Sequence, residues 1–173
     1  MKFLSQKTIF SSRSWKLVQG TYKEGSRKIT FNFIEHPQTV VIIPFISKNE
    51  IILIRQYRYP LKKFIWELPA GKVKEGESIK ECAARELEEE TGFKAGKLKK
   101  LFSFYSTPGY SSEIIHVFIA SELKKGEQKL DEREIIPRVK RFKIKDAIKL
   151  ITERKIKDGK TILALLSLSL RFK

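Results

Sequence analysis

Cysteine is almost absent from this chain of 173 residues. Cys82 stands alone, so no intrachain disulfide can form and no cysteine-rich metal site can be built. It lies beside Ala83 in a helical segment and reads as a small buried side chain. Histidine is scarce too: His36 and His116 are far apart, which leaves a histidine metal centre or a Ser–His triad little support. Both read as structural or surface residues. No apolar run approaches the roughly 18 residues of a membrane span. The opening MKFLSQKTIF has no sustained apolar segment and no small-residue cleavage site, so a cytoplasmic protein is expected. Repeats and low-complexity linkers are missing as well. The expectation is one compact main domain, residues 38–173, preceded by a β-strand segment over residues 1–37.

What is abundant is positive charge. Lys and Arg number 36 against 20 Asp and Glu, a net +16. Clustered basic residues would point to nucleic acid through counterion release. Here they are spread along the chain without any nucleic-acid motif, so a solvated lysine-rich surface is the better reading and nucleic acid is not the expected partner. A positive field also suits an enzyme for small anionic substrates.

Residues 13–23 and 27–35 alternate as strands around a turn at Glu24-Gly25-Ser26. TVVIIPFI (39–46) and IILIRQ (51–56) are rich in β-branched residues and flank a turn-like SKNE, predicting a buried hairpin. Short extended pieces follow over 64–73, with strands at 98–105, 113–120 and 136–143. Helices are expected over 145–154 and 159–171. Ser78-Ile79-Lys80-Glu81 is a capping box opening a helix, and Gly92 closes it at the position where positive φ is needed. The pattern is α/β: a mixed sheet with helices layered on it.

That helix carries the chemistry. Stepping about 100° per residue from Ile79 sets Cys82, Ala83 and Leu87 on a core-facing stripe. Glu86 falls at about −20° and Glu90 at about +20°, in the middle of it, with Glu89 at the edge near about −80°. Lys80, Glu81, Ala84 and Glu88 point outward. An amphipathic helix would place leucines at 86 and 90. Buried carboxylates one turn apart repel each other and need a cation. Hard oxygen donors at this spacing suit Mg²⁺ or Mn²⁺.

These residues complete a signature, G-x5-E-x7-R-E-U-x-E-E-x-G-U with U bulky and apolar. It runs here as Gly71, Glu77, Arg85, Glu86, Leu87, Glu89, Glu90, Gly92 and Phe93. The chain thereby resembles the Nudix hydrolases, metal-dependent enzymes that cleave diphosphate bonds on an α/β/α sandwich. The resemblance implies Glu86 and Glu90 as metal ligands, Glu89 coordinating directly or through water, and the Ala70 carbonyl as a further ligand. Arg85 would orient the glutamates. Glu77 would support the loop or the metal cluster, and Gly71 would allow a tight backbone turn.

Beyond the signature, Arg55-Gln56-Tyr57-Arg58-Tyr59-Pro60, Trp66-Glu67-Leu68-Pro69-Ala70-Gly71 and a downstream Pro108 are similar to the ADP-ribose pyrophosphatase subfamily. The stretch from Asp146 to Leu166 is similar as well. By this resemblance Arg58, Glu67, Pro108 and Glu113 belong to the substrate pocket. An acidic loop, Asp131-Glu132-Arg133-Glu134, would supply the catalytic base, Glu134 or else Glu132, beside Glu89 and Arg85 in the catalytic set. Trp15, Tyr22, Phe31 and Phe33 in the N-terminal strands could stack on adenine or serve in core packing, the commoner use of such residues. A homodimer exchanging its N-terminal strands is also implied. The activity expected is hydrolysis of ADP-ribose to AMP and ribose 5-phosphate. Other nucleoside diphosphate derivatives (nucleotide sugars, FAD, dinucleoside polyphosphates) stand as alternatives, as does a non-catalytic nucleic-acid-binding module on the same scaffold.

Overall fold

The computed structural model describes residues 1–169, with side chains to residue 168. Strands β1 (Lys2–Ser11), β2 (Lys16–Glu24) and β3 (Arg27–Glu35) form an antiparallel sheet of their own in the order β1-β2-β3. The sequence reading missed β1, because residues 2–11 lack a buried face: all ten are exposed. The strand expected over 13–23 accordingly starts later, at Lys16. Residues 12–15 form the turn between β1 and β2, where the Ser12 hydroxyl accepts from the backbone N–H groups of Ser14 and Trp15.

The main sheet holds β4 (Thr39–Ser47), β5 (Glu50–Arg58), β9 (Lys97–Tyr105), β10 (Ile114–Ser121) and β12 (Arg138–Lys143), ordered β12-β5-β4-β10-β9. Two short strands extend it: β6 (Lys63–Glu67) pairs with β5, and β7 (Ala70–Lys72) pairs with β4. The sheet is mixed, since β10 runs parallel to β4 and antiparallel to β9. The expected β4–β5 hairpin pairs only at its tip, through Phe45–Ile51 and Ser47–Glu50. Farther along, β5 takes β12 and β6 as neighbours while β4 takes β10 and β7. Two-residue strands β8 (Phe93–Lys94) and β11 (Lys124–Lys125) form a small ribbon.

Alternation along β4 splits the core in two. Val40 and Ile42 face helix α1 (Ile79–Thr91) and pack on Cys82, Ala83 and Leu87. Val41 and Ile43 face the opposite way, toward Ala147 of α2 (Ile144–Thr152) and Ala164, Leu165 and Leu168 of α3 (Gly159–Ser169). The result is an α/β/α sandwich. The sequence-expected end of α3 at residues 170–171 lies outside the described residues. No helix among the described residues is long and apolar enough to cross a membrane.

Helix α1 is held at both ends by local chemistry. The Ser78 hydroxyl accepts from the Glu81 N–H at 3.2 Å and the Glu81 carboxylate accepts from the Ser78 N–H at 2.9 Å. Such a cap stabilises a helix by about 1 kcal/mol. At the far end Gly92 takes φ 73° and donates its N–H to the Glu88 carbonyl, a conformation costly for any residue with a Cβ. The start and stop fix the angular phase of the helix, and with it the direction in which the acids point.

Candidate active site

Glu86 and Glu90 do point inward, with only 7% and 1% of their surface exposed. Strand β7 runs alongside, and the Ala70 N–H donates to Glu90 Oε2 at 2.8 Å. Glu90 Oε1 is buried with no hydrogen-bond partner among the described residues. Burial raises the Glu90 pKa well above the ordinary carboxylate value; the Ala70 N–H opposes this, and the charges of Glu86 and Glu134 add to it. Glu86 is raised as well, by burial first, against the opposing pull of the Arg85 charge. A third acid arrives from the loop before β12. Ligand-capable oxygens of Glu86, Glu90 and Glu134 all lie within 4.8 Å of one another. An orphaned buried oxygen inside a triad of converging carboxylates fits a divalent cation, because hard oxygen donors and a positive charge relieve desolvation and repulsion together.

Gly71 shows how closely the parts fit. A Cβ built there would collide with the carboxyl group of Glu86. Gly71 is not among the residues with positive φ, so the expected tight turn is not its reason. The missing side chain is what admits the acid between α1 and β7.

Arg85 organises the neighbouring carboxylates. Its Nε and Nη2 donate to the two oxygens of Glu77 at 2.7 and 2.9 Å, and Nη1 donates to Glu86 at 2.7 Å and Glu89 at 2.8 Å. Nη2 also reaches the Lys72 carbonyl. The Arg85 fork holds the Glu77 pKa down at about 2. Glu89 is thus turned to Arg85 and is not one of the three converging acids. Cys82 lies under this assembly, buried, with its thiol pushed up to about 12 by burial first and then by the Glu86 and Glu77 charges. That is an inert thiol, as its packing position implies.

Glu86 and Glu134 line a cleft of about 1300 Å³, with Glu90 buried behind them. The Glu134 carboxylate accepts from the Asp131 N–H at 3.0 Å, which ties the acid to its own loop. Glu132 is exposed and does not line the cleft. Glu113 lines the cleft, accepting from the Thr39 hydroxyl at 2.7 Å with His36 Nδ1 at 3.6 Å. Pro108 is exposed on the loop beyond β9, outside the lining. Among the four aromatic candidates only Trp15 lines the cleft. Arg13, Lys16, Lys72, Lys74 and Arg133 give it a basic rim. His116 lies away from it, bonded to Ser103 and Gln38, a satisfied sheet residue.

Arg58 ends β5 at the cleft wall. Its Nε and Nη2 grip the two oxygens of Glu67 at 2.6 and 2.5 Å. Glu67 is 0% exposed, so it meets the cleft only through the cations it holds. One of these, Lys160, went unnoticed in the sequence, as did Gln56 and Asp158, which also line the cleft. Asp158-Gly159-Lys160-Thr161 looks like an ordinary helix start, and part of it is one: Asp158 Oδ2 accepts from the Thr161 N–H and hydroxyl. Only the tertiary fold brings it opposite α1.

A family profile described as NUDIX domain matches residues 35–165. The chain is 39% identical to the ADP-ribose pyrophosphatase of Bacillus subtilis (strain 168), an alignment covering 99% of this chain and 96% of that protein. It is 37% identical to the methanol dehydrogenase activator of Bacillus methanolicus, over 98% of this chain and 93% of the other. In three dimensions it matches the crystal structure of an ADP compounds hydrolase with TM-score 0.83 at 25% identity, covering 98% of this chain and 93% of that one.

Proposed function

Since the chain belongs to the Nudix family of pyrophosphohydrolases, we propose that it hydrolyses the diphosphate bond of ADP-ribose, giving AMP and ribose 5-phosphate. The observation that carries this reading is the convergence of Glu86, Glu90 and Glu134 at one side of a basic-rimmed cleft large enough for a dinucleotide-sized ligand. The choice of ADP-ribose is supported by the name of the full-length Bacillus subtilis relative.

Glu86 and Glu90 would hold Mg²⁺, or Mn²⁺ in its place, with the Ala70 carbonyl as a further ligand and Glu89 reaching the ion directly or through water. The bound ion would screen the diphosphate, acidify an attacking water and stabilise the departing phosphate. Glu134 would serve as the general base toward the attacking water; Glu132 is the substitute, and its exposure disfavours it. Arg85 fixes the carboxylate orientations through its fork. Arg58 binds substrate phosphate, and Glu67 positions Arg58. Glu113 lines the substrate pocket, Trp15 stacks on the base, and Pro108 belongs to the loop beside it.

The N-terminal segment, residues 1–37, serves dimerisation by strand exchange in this reading. Its support is β1, which presents Phe3, Leu4, Ile9 and Phe10 to solvent, more apolar surface than a lone edge strand usually shows. A lone, buried and unpaired cysteine fits the reducing cytoplasm.

The deciding experiment is a panel of ADP-ribose, GDP-mannose, FAD, NADH and dinucleoside polyphosphates with Mg²⁺, products identified by mass. AMP plus ribose 5-phosphate, formed fastest from ADP-ribose and abolished by EDTA, is expected. Preference for another member overturns the substrate, and absence of all turnover together with salt-sensitive RNA binding overturns the enzyme in favour of a binding module.

A further inference from the structure

We propose that Lys160 is a substrate-binding residue of this cleft, gripping together with Arg58 the substrate phosphate that lies away from the acidic triad. The proposal rests on the diphosphate reading above and deepens it.

Glu67 Oε2 accepts from both Arg58 Nη2, at 2.5 Å, and Lys160 Nζ, at 2.6 Å. Two cationic nitrogens straddling one oxygen stand close enough to share the oxygens of a single phosphate. Two cations face two carboxylates here, Glu67 and Asp158, so what the cluster offers a ligand is open donors. Asp158 Oδ1 takes a second Lys160 proton at 2.7 Å. An ammonium has three donors, so one remains; of the five guanidinium N–H groups of Arg58, Glu67 takes two. Both side chains line the cleft, 18% and 35% exposed, so their remaining donors can reach it.

The buried acid explains why these cations stand rigid. Lys loses considerable rotamer freedom when it binds an anion; fastened beforehand to Glu67 and Asp158, Lys160 has already lost it. The same wall has a second unfinished element. Gln56 precedes Arg58 by two residues on β5 and therefore shares its face. It is 5% exposed, lines the cleft, and its Oε1 has no partner among the described residues. A buried acceptor left open is costly and wants a donor, which an ionised phosphate does not offer, so the phosphate grip rests on the cation pair. Arg58 and Lys160 line the same cleft as Glu86 and Glu134. A diphosphate can therefore span from the acids to this pair.

The test uses the full chain with K160Q, which can still donate to Glu67 but lacks the charge, and K160R, which keeps it. K160M, retaining the aliphatic stem, replaces K160Q should that variant not fold. Steady-state kinetics with ADP-ribose and Mg²⁺ are expected to show KM raised about 10- to 100-fold in K160Q, the usual worth of a charge-assisted hydrogen bond. Its kcat should change far less, and K160R should recover most of the loss. Calorimetric titration of inorganic pyrophosphate in Mg²⁺, which needs no turnover, should show the same weakening. Unchanged KM and unchanged pyrophosphate affinity in K160Q overturn the proposal while leaving the hydrolase reading intact. Equal damage in K160R and K160Q, tracking a lowered melting temperature, also overturns it, because Lys160 would then only fasten α3. If ADP-ribose is not a substrate yet pyrophosphate binding still depends on Lys160, the substrate fails and the phosphate grip stands.

Discussion

Replacing Glu90 with Gln should make the metal-free protein more stable while destroying its activity. Glu90 is 1% exposed; among the described residues one oxygen is held by the Ala70 N–H and the other has no partner. Glutamine keeps the acceptor for Ala70, fits the same volume, and turns an amide N–H₂ toward Glu86 and Glu134, replacing repulsion by attraction. Relieving an unsatisfied buried charged group is worth about 1–3 kcal/mol. For a chain of this size each kcal/mol moves the melting point by about 2–4 °C, so a rise of several degrees in EDTA is expected. The sign with pH follows from the raised pKa. Above the ordinary carboxylate value of 4.5 the unfolded chain ionises freely, whereas the folded chain resists ionisation until its own higher pKa is passed. The penalty in the parent therefore grows as pH rises through that interval. The advantage of E90Q should be absent well below pH 4.5 and widen on the way to neutrality. Mg²⁺ should reverse the order, stabilising the parent by mass action and E90Q little. The assay is thermal unfolding of both proteins across pH, in EDTA and in Mg²⁺, beside turnover of ADP-ribose. Turnover should fall by at least about 100-fold, the range seen when one transition-state electrostatic contact is removed. A lower melting point for E90Q in EDTA, or an equal response to Mg²⁺, would refute the reasoning.

Gly71→Ala should leave β7 paired with β4 yet displace the Glu86 carboxyl, costing about 1–3 kcal/mol as overpacking and about 100-fold in turnover as misplacement; unchanged kinetics would show that the acid has room to move. Glu134→Gln should depress kcat by about 100-fold or more, whereas Glu132→Gln, on the exposed side of the loop, should leave it nearly intact; the reverse order would move the base. Arg85→Lys should impair both stability and activity, since an ammonium cannot hold Glu77, Glu86 and Glu89 at once, and circular dichroism melts beside kinetics would show it. On acidification the Glu77–Arg85 contribution should be whole above pH 4.5 and lost as pH falls through about 2, because the folded pKa is depressed. Glu77→Gln should flatten acid unfolding in that window.

Helix α1 was almost fully legible in the sequence. Its capping box, its closing glycine and the placement of Glu86 and Glu90 on the apolar stripe depend on contacts within one turn or on the helical period, and both are written locally. The same holds for the β-branched runs of β4 and β5 and for the inert Cys82. Other elements were not, for reasons that differ. Strand β1 carries no buried face, so no alternation marks it. The β4–β5 turn was visible, but the partners along their length come from β10 and β12, distant in sequence. Glu67 was expected in the substrate pocket, but nothing near it in sequence foretold that it would be buried with Arg58 and Lys160 meeting on its carboxylate.

The division follows from the reach of the forces involved. Hydrogen bonds and side-chain spacing within a helix act across three or four residues, so the inward turn of the acids was set before any tertiary contact formed. Which oxygen stays unpartnered, why Gly71 must lack a side chain, and which cations face the triad depend on segments brought together from residues 58, 71, 90, 134 and 160. Packing across the sheet alone decides those.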